Sequence, residues 1–332
     1  MAYITLSRKA FFHNLDIISA HVSDLRKIAL VMKDNAYGHG LIEIATLAQE
    51  YGVTKAVVRH ESEAQRIADF FEYILILDDI PHTPLANFVY TVNNMEQITS
   101  FKRGSRVELK VDTGMHRNGV GTDEVDAALE AIERQGLTCK GIFTHFRSAD
   151  TLSSELFWQK KQFETIKNGY ANRGYQFHSA NSAGTFRTLT CKEDMVRVGI
   201  AAYGCLELDE VYAQPDLKPI LSLVAERQTT RLLKASQGVG YNAICKVKED
   251  TIVSTYDIGY ADGFLRSASN RYITPNGSKL LGRISMDNTS FTCKDEELVL
   301  FDNANTLAKA AGTIGYEVLT RLSSSLERRL IP

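Results

Sequence analysis

Polar side chains that could do chemistry follow, or lie within, a series of short apolar runs. They are Lys33, Lys110, Arg117, His145, Asn181, Ser182 and Arg197, and the last strand ends at Gly199. If the runs are parallel strands of a barrel, their carboxyl ends gather at one face, where active sites form. Ser182 begins a predicted helix, and its hydroxyl with the Gly199 and Ile200 amides suits a phosphate or another anion. The pattern therefore predicts one site that combines amines, guanidinium groups and an anion-binding end.

Strands and helices alternate in the first two-thirds of the sequence, as its apolar periodicity indicates. Strands are predicted at 28–32, 56–58, 73–77, 88–92, 106–111, 141–144, 177–180 and 196–199. Helices are predicted at 8–21, 40–51, 61–70, 94–102, 122–135 and 153–173. Thr122 is the expected amino-terminal cap of the fifth helix. Eight strand–helix units predict an α/β fold, and they favour a (β/α)8 barrel of the TIM type over an open doubly wound sheet.

The pattern changes after about residue 215. Pro215 and Pro219 precede β-rich runs, which are separated by Gly, Asn and Asp and lie at 221–226, 251–256, 279–284 and 298–301. These runs predict a smaller, mostly antiparallel β domain. The expected division is a barrel at residues 1–217, whose first few residues are candidates for pairing with the β domain, and a β domain at residues 218–332.

Composition and charge exclude several classes of protein. The 332 residues carry a formal net charge of -2, so charge gives no reason to expect nucleic-acid or membrane-surface binding. No run approaches the length of a transmembrane helix, and the amino terminus does not read as a secretory signal. The five cysteines are Cys139, Cys191, Cys205, Cys245 and Cys293. They form no CxxC pair, so no metal site is expected, and reduced thiols in the cytoplasm fit best.

Nine sequence blocks, in order, resemble the pyridoxal-phosphate-dependent alanine racemases. They are VMKDNAYGHG at 31–40, KVDTGMHRNG at 110–119, THF at 144–146, HSANSAG at 178–184, MVRVGIAAYG at 195–204, GVGYNA at 238–243, IGYADG at 258–263, GRISMDN at 282–288 and GYEVLTRLSS at 315–324. The resemblance implies a barrel followed by a β domain, and a head-to-tail homodimer with shared active sites. It also implies a role in supplying D-alanine for the peptidoglycan of the cell wall.

Two bases, Lys33 and Tyr241, are implied by this resemblance. Lys33 matches the lysine that binds pyridoxal 5'-phosphate (PLP) covalently, and Tyr241 matches a second base that the partner subunit supplies. A tyrosine with a pKa near 10 needs help from a neighbouring cation or hydrogen bond at neutral pH. His145 matches a residue that contacts this tyrosine and Arg197. Arg197 matches the residue that faces the cofactor's pyridine nitrogen, and it cannot accept the ring proton, which favours racemisation over transamination.

The resemblance also assigns the remaining site residues. Those expected at the phosphate are Tyr37, Ser182, Gly199, Ile200 and Tyr316, with Asn181 beside them. Arg117 is expected to bind the substrate carboxylate, oriented by Lys110 in a carboxylated form. Met286 and Asp287 match a substrate-side loop of the partner, and Tyr260 matches a tyrosine that narrows the entrance.

The sequence leaves three alternatives to an alanine racemase. A non-catalytic PLP carrier shares the barrel but lacks a β domain, and the 115 residues at 218–332 argue against it. A related decarboxylase would place an acidic residue where Arg197 stands. A broader racemase that acts on serine or basic amino acids is similar, but relatives of that kind tend to be exported.

Overall fold

The computed structural model describes residues 1–187 and 193–332. The strands of this part are β1 (Tyr3–Ser7), β2 (Ile28–Val31), β3 (Lys55–Val58), β4 (Tyr73–Ile76), β5 (Phe88–Val92), β6 (Arg106–Lys110), β7 (Thr138–Phe143), β8 (Gln176–His178), β9 (Val196–Val198), β10 (Leu221–Leu233), β11 (Gly238–Val239), β12 (Cys245–Lys246), β13 (Thr251–Tyr256), β14 (Leu280–Leu281), β15 (Thr289–Phe291), β16 (Glu297–Phe301) and β17 (Glu327–Ile331). The helices are α1 (Arg8–Val22), α2 (Lys33–Tyr37), α3 (Leu41–Tyr51), α4 (Glu61–Arg66), α5 (Val125–Arg134), α6 (Glu155–Tyr170), α7 (Ser182–Phe186), α8 (Ala304–Ala311) and α9 (Gly315–Thr320). Short 3₁₀ helices lie at Leu25–Lys27, Ala68–Phe70, Glu96–Ser100, Ala171–Arg173, Tyr241–Ala243, Tyr260–Asp262 and Arg266–Ala268.

Strands β2 to β9 form one parallel sheet that curves into a barrel. Its order is β8-β7-β6-β5-β4-β3-β2-β9, so each strand neighbours the next along the chain and β9 returns to β2. Two backbone hydrogen bonds cross the remaining seam, from Asp194 N to Phe177 O at 3.1 Å and from Arg197 N to Ala180 O at 2.9 Å. The prediction of a TIM-type barrel is confirmed.

Side chains alternate between the two faces of each barrel strand. On β6, Val107 and Leu109 belong to the large apolar core between the strands and their helices. Glu108 and Lys110 lie on the other face, which points into the barrel, and both are buried. The barrel interior is therefore polar in part, and β6 contributes two of its polar residues from positions two apart.

The second sheet is mostly antiparallel and confirms the predicted β domain. Its order is β14-β15-β13-β10-β1-β17, and β16 also pairs with β10. β1, from the amino terminus, pairs antiparallel with β10 and parallel with β17. The chain therefore begins in the sheet of the β domain before it enters the barrel.

Two local predictions are wrong. Thr122 does not cap α5, because a turn precedes the helix: Glu124 N donates to Gly121 O, and the Glu124 carboxylate accepts from Gly121 N at 2.7 Å. The helix starts three residues later, at Val125. The predicted helix at 94–102 is a 3₁₀ segment, Glu96–Ser100, that ends in an i→i-3 bond from Phe101 N to Ile98 O.

Four cysteines, Cys139, Cys205, Cys245 and Cys293, carry free thiols, and Cys191 lies outside the described residues. Among residues 1–187 and 193–332, no helix has both the length and the apolar character that a membrane crossing requires.

Candidate active site

A cavity of about 780 Å³ opens at the carboxyl ends of the barrel strands. Eleven of the residues singled out from the sequence line it: Lys33, Tyr37, Lys110, Arg117, His145, Asn181, Ser182, Arg197, Gly199, Ile200 and Tyr316. They are spread over nearly 300 positions of the chain. The parallel strands bring ten of them together, and the β domain adds Tyr316. Residues that were not singled out, including Arg59, Asp78 and Asn118, complete the lining.

Lys33 follows β2 and starts a left-handed turn. Asp34, Asn35, Ala36 and Tyr37 have φ values between 52° and 56°, and such backbone costs about 1–2 kcal/mol per residue. Hydrogen bonds hold it in place. The Asn35 side chain accepts from Leu41 N at 2.9 Å, and a guanidinium of the carboxyl-terminal strand, Arg328, donates to the Gly38 carbonyl at 2.9 Å. The turn leaves the Lys33 side chain 37% exposed, with Nζ 3.9 Å from the Asp34 carboxylate.

Ser182 organises the anion-binding end of the cavity. Its Oγ accepts from the amides of Gly199, at 3.1 Å, and Ala201, at 3.3 Å. A hydroxyl has two acceptor positions and one proton, so these bonds leave the Ser182 proton to donate to a ligand. The Gly199 amide, which the sequence pattern indicated as an anion donor, is thus bonded to Ser182.

Gly199 also makes room for Tyr37. A Cβ at position 199 would lie 2.9 Å from the Tyr37 hydroxyl oxygen, which is tighter than real Cβ contacts allow. The ring of Tyr37 lies 5.9 Å from that of Tyr316, from the β domain. Asn181 caps α7 by accepting from Gly184 N at 2.8 Å. Two phenols and a serine hydroxyl therefore meet at the end of the cavity.

Positive charge exceeds negative charge in the cavity lining, with six Lys and Arg residues against four Asp and Glu residues. Lys33, Lys110, Arg117 and Arg197 are among the six. Burial, together with the charges of Arg117 and Arg197, lowers the pKa of Lys110 to about 8. Burial and the same cations lower the pKa of His145 to about 3, so its imidazole is neutral at pH 7. A neutral imidazole can accept a hydrogen bond in this cationic surrounding, and an anionic ligand is favoured.

Arg197 is 5% exposed and is held by several acceptors. Nη2 donates to the carbonyls of Thr144, at 2.7 Å, and Ser179, at 3.2 Å, while Nη1 donates to Nδ1 of His178. Burial lowers the pKa of Arg197 to about 10, which keeps the guanidinium charged at neutral pH. Nε2 of His178 in turn contacts the buried carboxylate of Glu108 at 2.7 Å.

Glu108 and His178 received no role from the sequence. The available signal was the period-two alternation of strands, since Glu108 lies two residues before Lys110 and so shares its inward face. A charged side chain in the middle of a buried strand is unusual unless it is paired.

The remaining candidates form a separate group on the β domain. Tyr241 and Tyr260 line a groove of about 500 Å³, with Asn242, Arg266, Arg283 and Ile284. Backbone bonds from Tyr260 N to Ser285 O and from Ala261 N to Met286 O, both 3.0 Å, join this loop to the one that carries Met286 and Asp287. Tyr241 is 65% exposed and Met286 54% exposed. His145 and Tyr241 of one chain line different cavities.

Comparisons with known proteins agree on one family. The model of the alanine racemase N-terminal domain matches residues 6–207, and that of the alanine racemase C-terminal domain matches residues 220–330. The alanine racemase of a Nitratiruptor species is 44% identical, and that of Campylobacter concisus is 40% identical, each over the full length of both chains.

Solved structures show the same likeness. The crystal structure of alanine racemase from Bacillus anthracis with bound L-Ala-P superimposes with a TM-score of 0.89 at 26% identity, over 100% of this chain and 95% of that chain. The enzyme from Streptomyces lavendulae gives a TM-score of 0.88 at 26% identity, over 100% of this chain and 97% of that one. The chain belongs to the alanine racemase family of PLP-dependent isomerases.

Proposed function

We propose that this protein interconverts L-alanine and D-alanine with bound PLP and two bases, Lys33 and Tyr241, that act on opposite faces of the substrate. The observation that carries the proposal is the composition of the barrel cavity. An exposed amine, a hydroxyl-lined anion end and a buried arginine line one space. A second arginine, Arg117, lines the same space and suits the carboxylate of an amino acid.

The residues of the cavity fit PLP. Lys33 would form the covalent link, and the Ser182 proton with the Tyr37 and Tyr316 hydroxyls would hold the phosphate, beside Asn181, Gly199 and Ile200. The hydrogen bonds of Arg197 engage both of its terminal nitrogens, which leaves Nε–H for the pyridine nitrogen. When bound, PLP withdraws electrons from the substrate and makes its Cα proton acidic. Because Arg197 is a donor only, it leaves the ring nitrogen unprotonated and disfavours transamination.

Tyr241 would act from a second copy of the chain. The cationic cavity around Lys33, Lys110, Arg117 and Arg197 would lower the pKa of a phenol placed against it, and the N–H of the neutral His145 would stabilise the phenolate by donating a hydrogen bond to it. Without such help a free tyrosine is about three pKa units too weak an acid, or roughly 4 kcal/mol. The shared site would therefore supply the activation that a tyrosine base requires.

Exposed apolar side chains support an assembly of this kind. On the β domain, Tyr241, Tyr260 and Met286 are 65%, 44% and 54% exposed. Beside the barrel mouth, Phe157 and Trp158 at the start of α6 are 63% and 52% exposed. Clustered exposed apolar groups mark interaction surfaces. We propose a homodimer in which each β domain covers the partner's barrel mouth, with Met286 and Asp287 beside the substrate and Tyr260 at the entrance.

Lys110 would orient Arg117 after carboxylation. With its pKa lowered to about 8, a sizeable fraction of the Lys110 amine is neutral at physiological pH. The neutral amine adds CO₂ and releases a proton, which gives a carbamate anion. That anion would pair with Arg117, whereas an ammonium would repel it.

The proposed biological role is the cytoplasmic supply of D-alanine for peptidoglycan. We also propose that the two domains divide between residues 217 and 218. The role is tested by expressing the gene in a bacterium that lacks its own alanine racemases: growth without added D-alanine supports it, and continued auxotrophy contradicts it.

The activity is tested by chiral analysis of L-alanine incubated with purified protein and PLP. Equal D and L isomers at equilibrium, abolished by Lys33→Ala, are expected. Unchanged L-alanine, with PLP still bound, would overturn the assignment of the substrate. Serine, lysine and arginine are measured in parallel, and faster turnover of one of these would make the protein a broader racemase.

A further inference from the structure

A chain of buried polar groups runs from the centre of the barrel to Arg197. Glu108 and His178 have no exposed surface, and Arg197 is 5% exposed. Glu108 Oε2 lies 2.7 Å from His178 Nε2, and His178 Nδ1 contacts Arg197 Nη1. A carboxylate, an imidazole and a guanidinium are thus connected in series, and only the guanidinium reaches the cavity.

The chemistry of the three groups assigns each proton. A guanidinium is only a donor, so His178 Nδ1 must be the acceptor and carry no hydrogen. The imidazole proton is therefore on Nε2, from which it is donated to Glu108. A doubly protonated His178 would place an N–H against the N–H of Arg197. Burial lowers the pKa of His178, in agreement with a neutral ring.

Both carboxylate oxygens of Glu108 accept hydrogen bonds. Its Oε1 accepts from the Tyr73 hydroxyl at 2.6 Å and from the Gln176 amide. Burial opposes its ionisation, but His178 and these donors hold the pKa of Glu108 below its usual value. Other titratable groups that sense its charge are Lys55, on β3, and Cys139, on β7.

The backbone leaves space for this carboxylate. Gly141, on the neighbouring strand β7, has no side chain where a Cβ would lie 2.8 Å from Glu108 Oε1 and 2.7 Å from Gln176 Cγ. The ring of His178 stacks on the ring of Phe143, with 4.8 Å between their centroids. The Arg197 guanidinium lies 5.0 Å from the centroid of the Phe143 ring. The imidazole and the guanidinium are therefore fixed by packing as well as by hydrogen bonds.

We propose that Glu108 is a positioning residue for the racemase reaction: its carboxylate fixes His178 as the Nε2–H tautomer, and His178 in turn fixes Arg197 as an oriented donor in the cavity. The effect of Glu108 on catalysis rests on the proposed function, because it requires the cofactor ring to lie at Arg197. The effect of Glu108 on the tautomer of His178 is independent of the proposed function. A carboxylate that sets the tautomer of a histidine is known to matter greatly in hydrolases.

Glu108→Gln has almost the same shape but replaces a group that only accepts hydrogen bonds with one that also donates. If the new amide NH₂ faces His178, it meets the Nε2–H, so the imidazole must move its proton to Nδ1 and then opposes Arg197. If the NH₂ faces the other way, the amide oxygen can still accept from Nε2–H, but the Tyr73 hydroxyl and the Gln176 amide must reorient to accept from the NH₂. Either orientation removes the negative charge that favours the Nε2–H tautomer.

The first measurement uses the protein without cofactor and therefore does not depend on the proposed function. Selective ¹⁵N-histidine labelling, with His178→Gln to assign the signals, reports which ring nitrogen carries the proton. The expected wild-type result is a protonated Nε2 and a bare Nδ1 throughout pH 6–9, replaced in Glu108→Gln by a mixture or by the Nδ1–H form. An unchanged Nε2–H tautomer in Glu108→Gln would overturn the proposal.

The second measurement uses the PLP-loaded enzyme. Glu108→Gln is expected to lower kcat by about 10- to 100-fold with little change in KM for alanine, and to shift the pH dependence of the cofactor absorbance. Glu108→Asp, which keeps the charge, is expected to retain more of the wild-type pH profile than Glu108→Gln. A wild-type pH profile and kcat in Glu108→Gln would overturn the proposal.

The matched control is Glu61→Gln, the same substitution at another buried carboxylate of the barrel. Glu61 accepts from Tyr90 and Thr83 and makes no contact with Arg197. Glu61→Gln is expected to lower stability but keep the spectrum and the pH profile. Identical changes in both variants would reduce Glu108 to a structural role. Failure of the wild type to bind PLP or to racemise alanine would instead refute the proposed function, and the tautomer measurement would still decide on Glu108.

Discussion

The barrel cavity and the β-domain groove are built in opposite ways. In the cavity, Lys110 is 8% and Arg197 5% exposed, and Arg197 is tied to the carbonyls of neighbouring strands. In the groove, Tyr241 is 65% and Met286 54% exposed. The polar groups of the cavity come together within one chain, because closure of the parallel barrel gathers the strand ends and the β domain adds Tyr316. The groove presents Tyr241 and Met286 outward, as the proposed dimer requires.

The backbone on either side of the exposed Tyr241 has an unusual conformation. Gly240, Asn242 and Ala243, beside Tyr241, have φ values of 64°, 60° and 43°. Non-glycine residues rarely adopt such angles, and they cluster at functional sites. The loop that presents Tyr241 therefore has backbone of the kind that clusters at functional sites.

The largest expected effect concerns the division of the site between chains. Tyr241→Phe removes one of the two acid–base groups and is expected to reduce racemisation by about 10²–10⁴-fold. Lys33→Ala is expected to be inactive. If the groups act across a symmetric dimer, mixing the two inactive variants forms heterodimers with one intact site, which restores about a quarter of wild-type activity. The measurement is the racemisation rate after the variants are mixed and allowed to exchange subunits.

A second mixture controls for the complementation experiment. Lys33→Ala mixed with the double variant Lys33→Ala/Tyr241→Phe contains no intact lysine and should stay inactive. If Lys33→Ala and Tyr241→Phe do not complement each other although subunits exchange, the two groups do not act across chains.

The next effect lies wholly within the cavity. Lys110→Ala is expected to raise KM for alanine by about 10- to 100-fold, since Arg117 loses a charge-assisted partner. Because the neutral amine is the form that reacts with CO₂, carboxylation of Lys110 should increase as the pH rises through about 8, the pKa of this lysine. ¹³C NMR of protein equilibrated with ¹³C-bicarbonate should show a carbamate signal that Lys110→Ala lacks. A wild-type spectrum without that signal at pH 9 would exclude the modification.

The contrast between the two regions also marks how far the sequence could predict the site. Lys33, Arg117 and Arg197 were predictable because strand ends of a parallel barrel converge whatever the loops do. Tyr241 was expected from a partner only by resemblance, since no periodicity in one chain encodes contacts between two. Glu108 and His178 were missed because they meet inside the barrel across the intervening strand β7, and the alternation of one strand does not encode that contact. Thr122 was misplaced because the Glu124 side chain closes a competing turn at 121–124.

A smaller effect is expected for Glu61, which ties the barrel loops together without touching the cavity's cations. Burial alone would raise its pKa, but donors from His82, Thr83 and Tyr90 outweigh burial and lower the pKa to about 2. A carboxyl with a depressed folded-state pKa contributes stability above its unfolded value and loses it as the pH falls. Glu61→Gln should therefore lower the free energy of unfolding by about 3 kcal/mol at pH 7.

That loss should shrink as the pH falls from 4.5 toward 2, because the wild-type carboxyl then becomes protonated too. Urea unfolding of the wild type and of Glu61→Gln at several pH values measures this difference in unfolding free energy. A difference in unfolding free energy that is the same at pH 7 and pH 3 would show that the charge of Glu61 contributes nothing.

The smallest expected effect on a single chain belongs to Trp158, which is half-exposed at the start of α6 beside the barrel mouth. Trp158→Ser removes few internal contacts, so the free energy of unfolding of the chain should change by no more than about 0.5 kcal/mol. If the partner's β domain covers this surface, the dimer dissociation constant should rise about tenfold, because buried tryptophans dominate interfaces. Sedimentation equilibrium measures the dimer dissociation constant, and Ile42→Ser on α3 is the control at another exposed apolar residue. Equal dimer affinity in the two variants would show that the interface lies elsewhere. A dimer weakened by Trp158→Ser but not by Ile42→Ser would support an interface in which the barrel mouth of one chain contacts the Tyr241 groove of its partner.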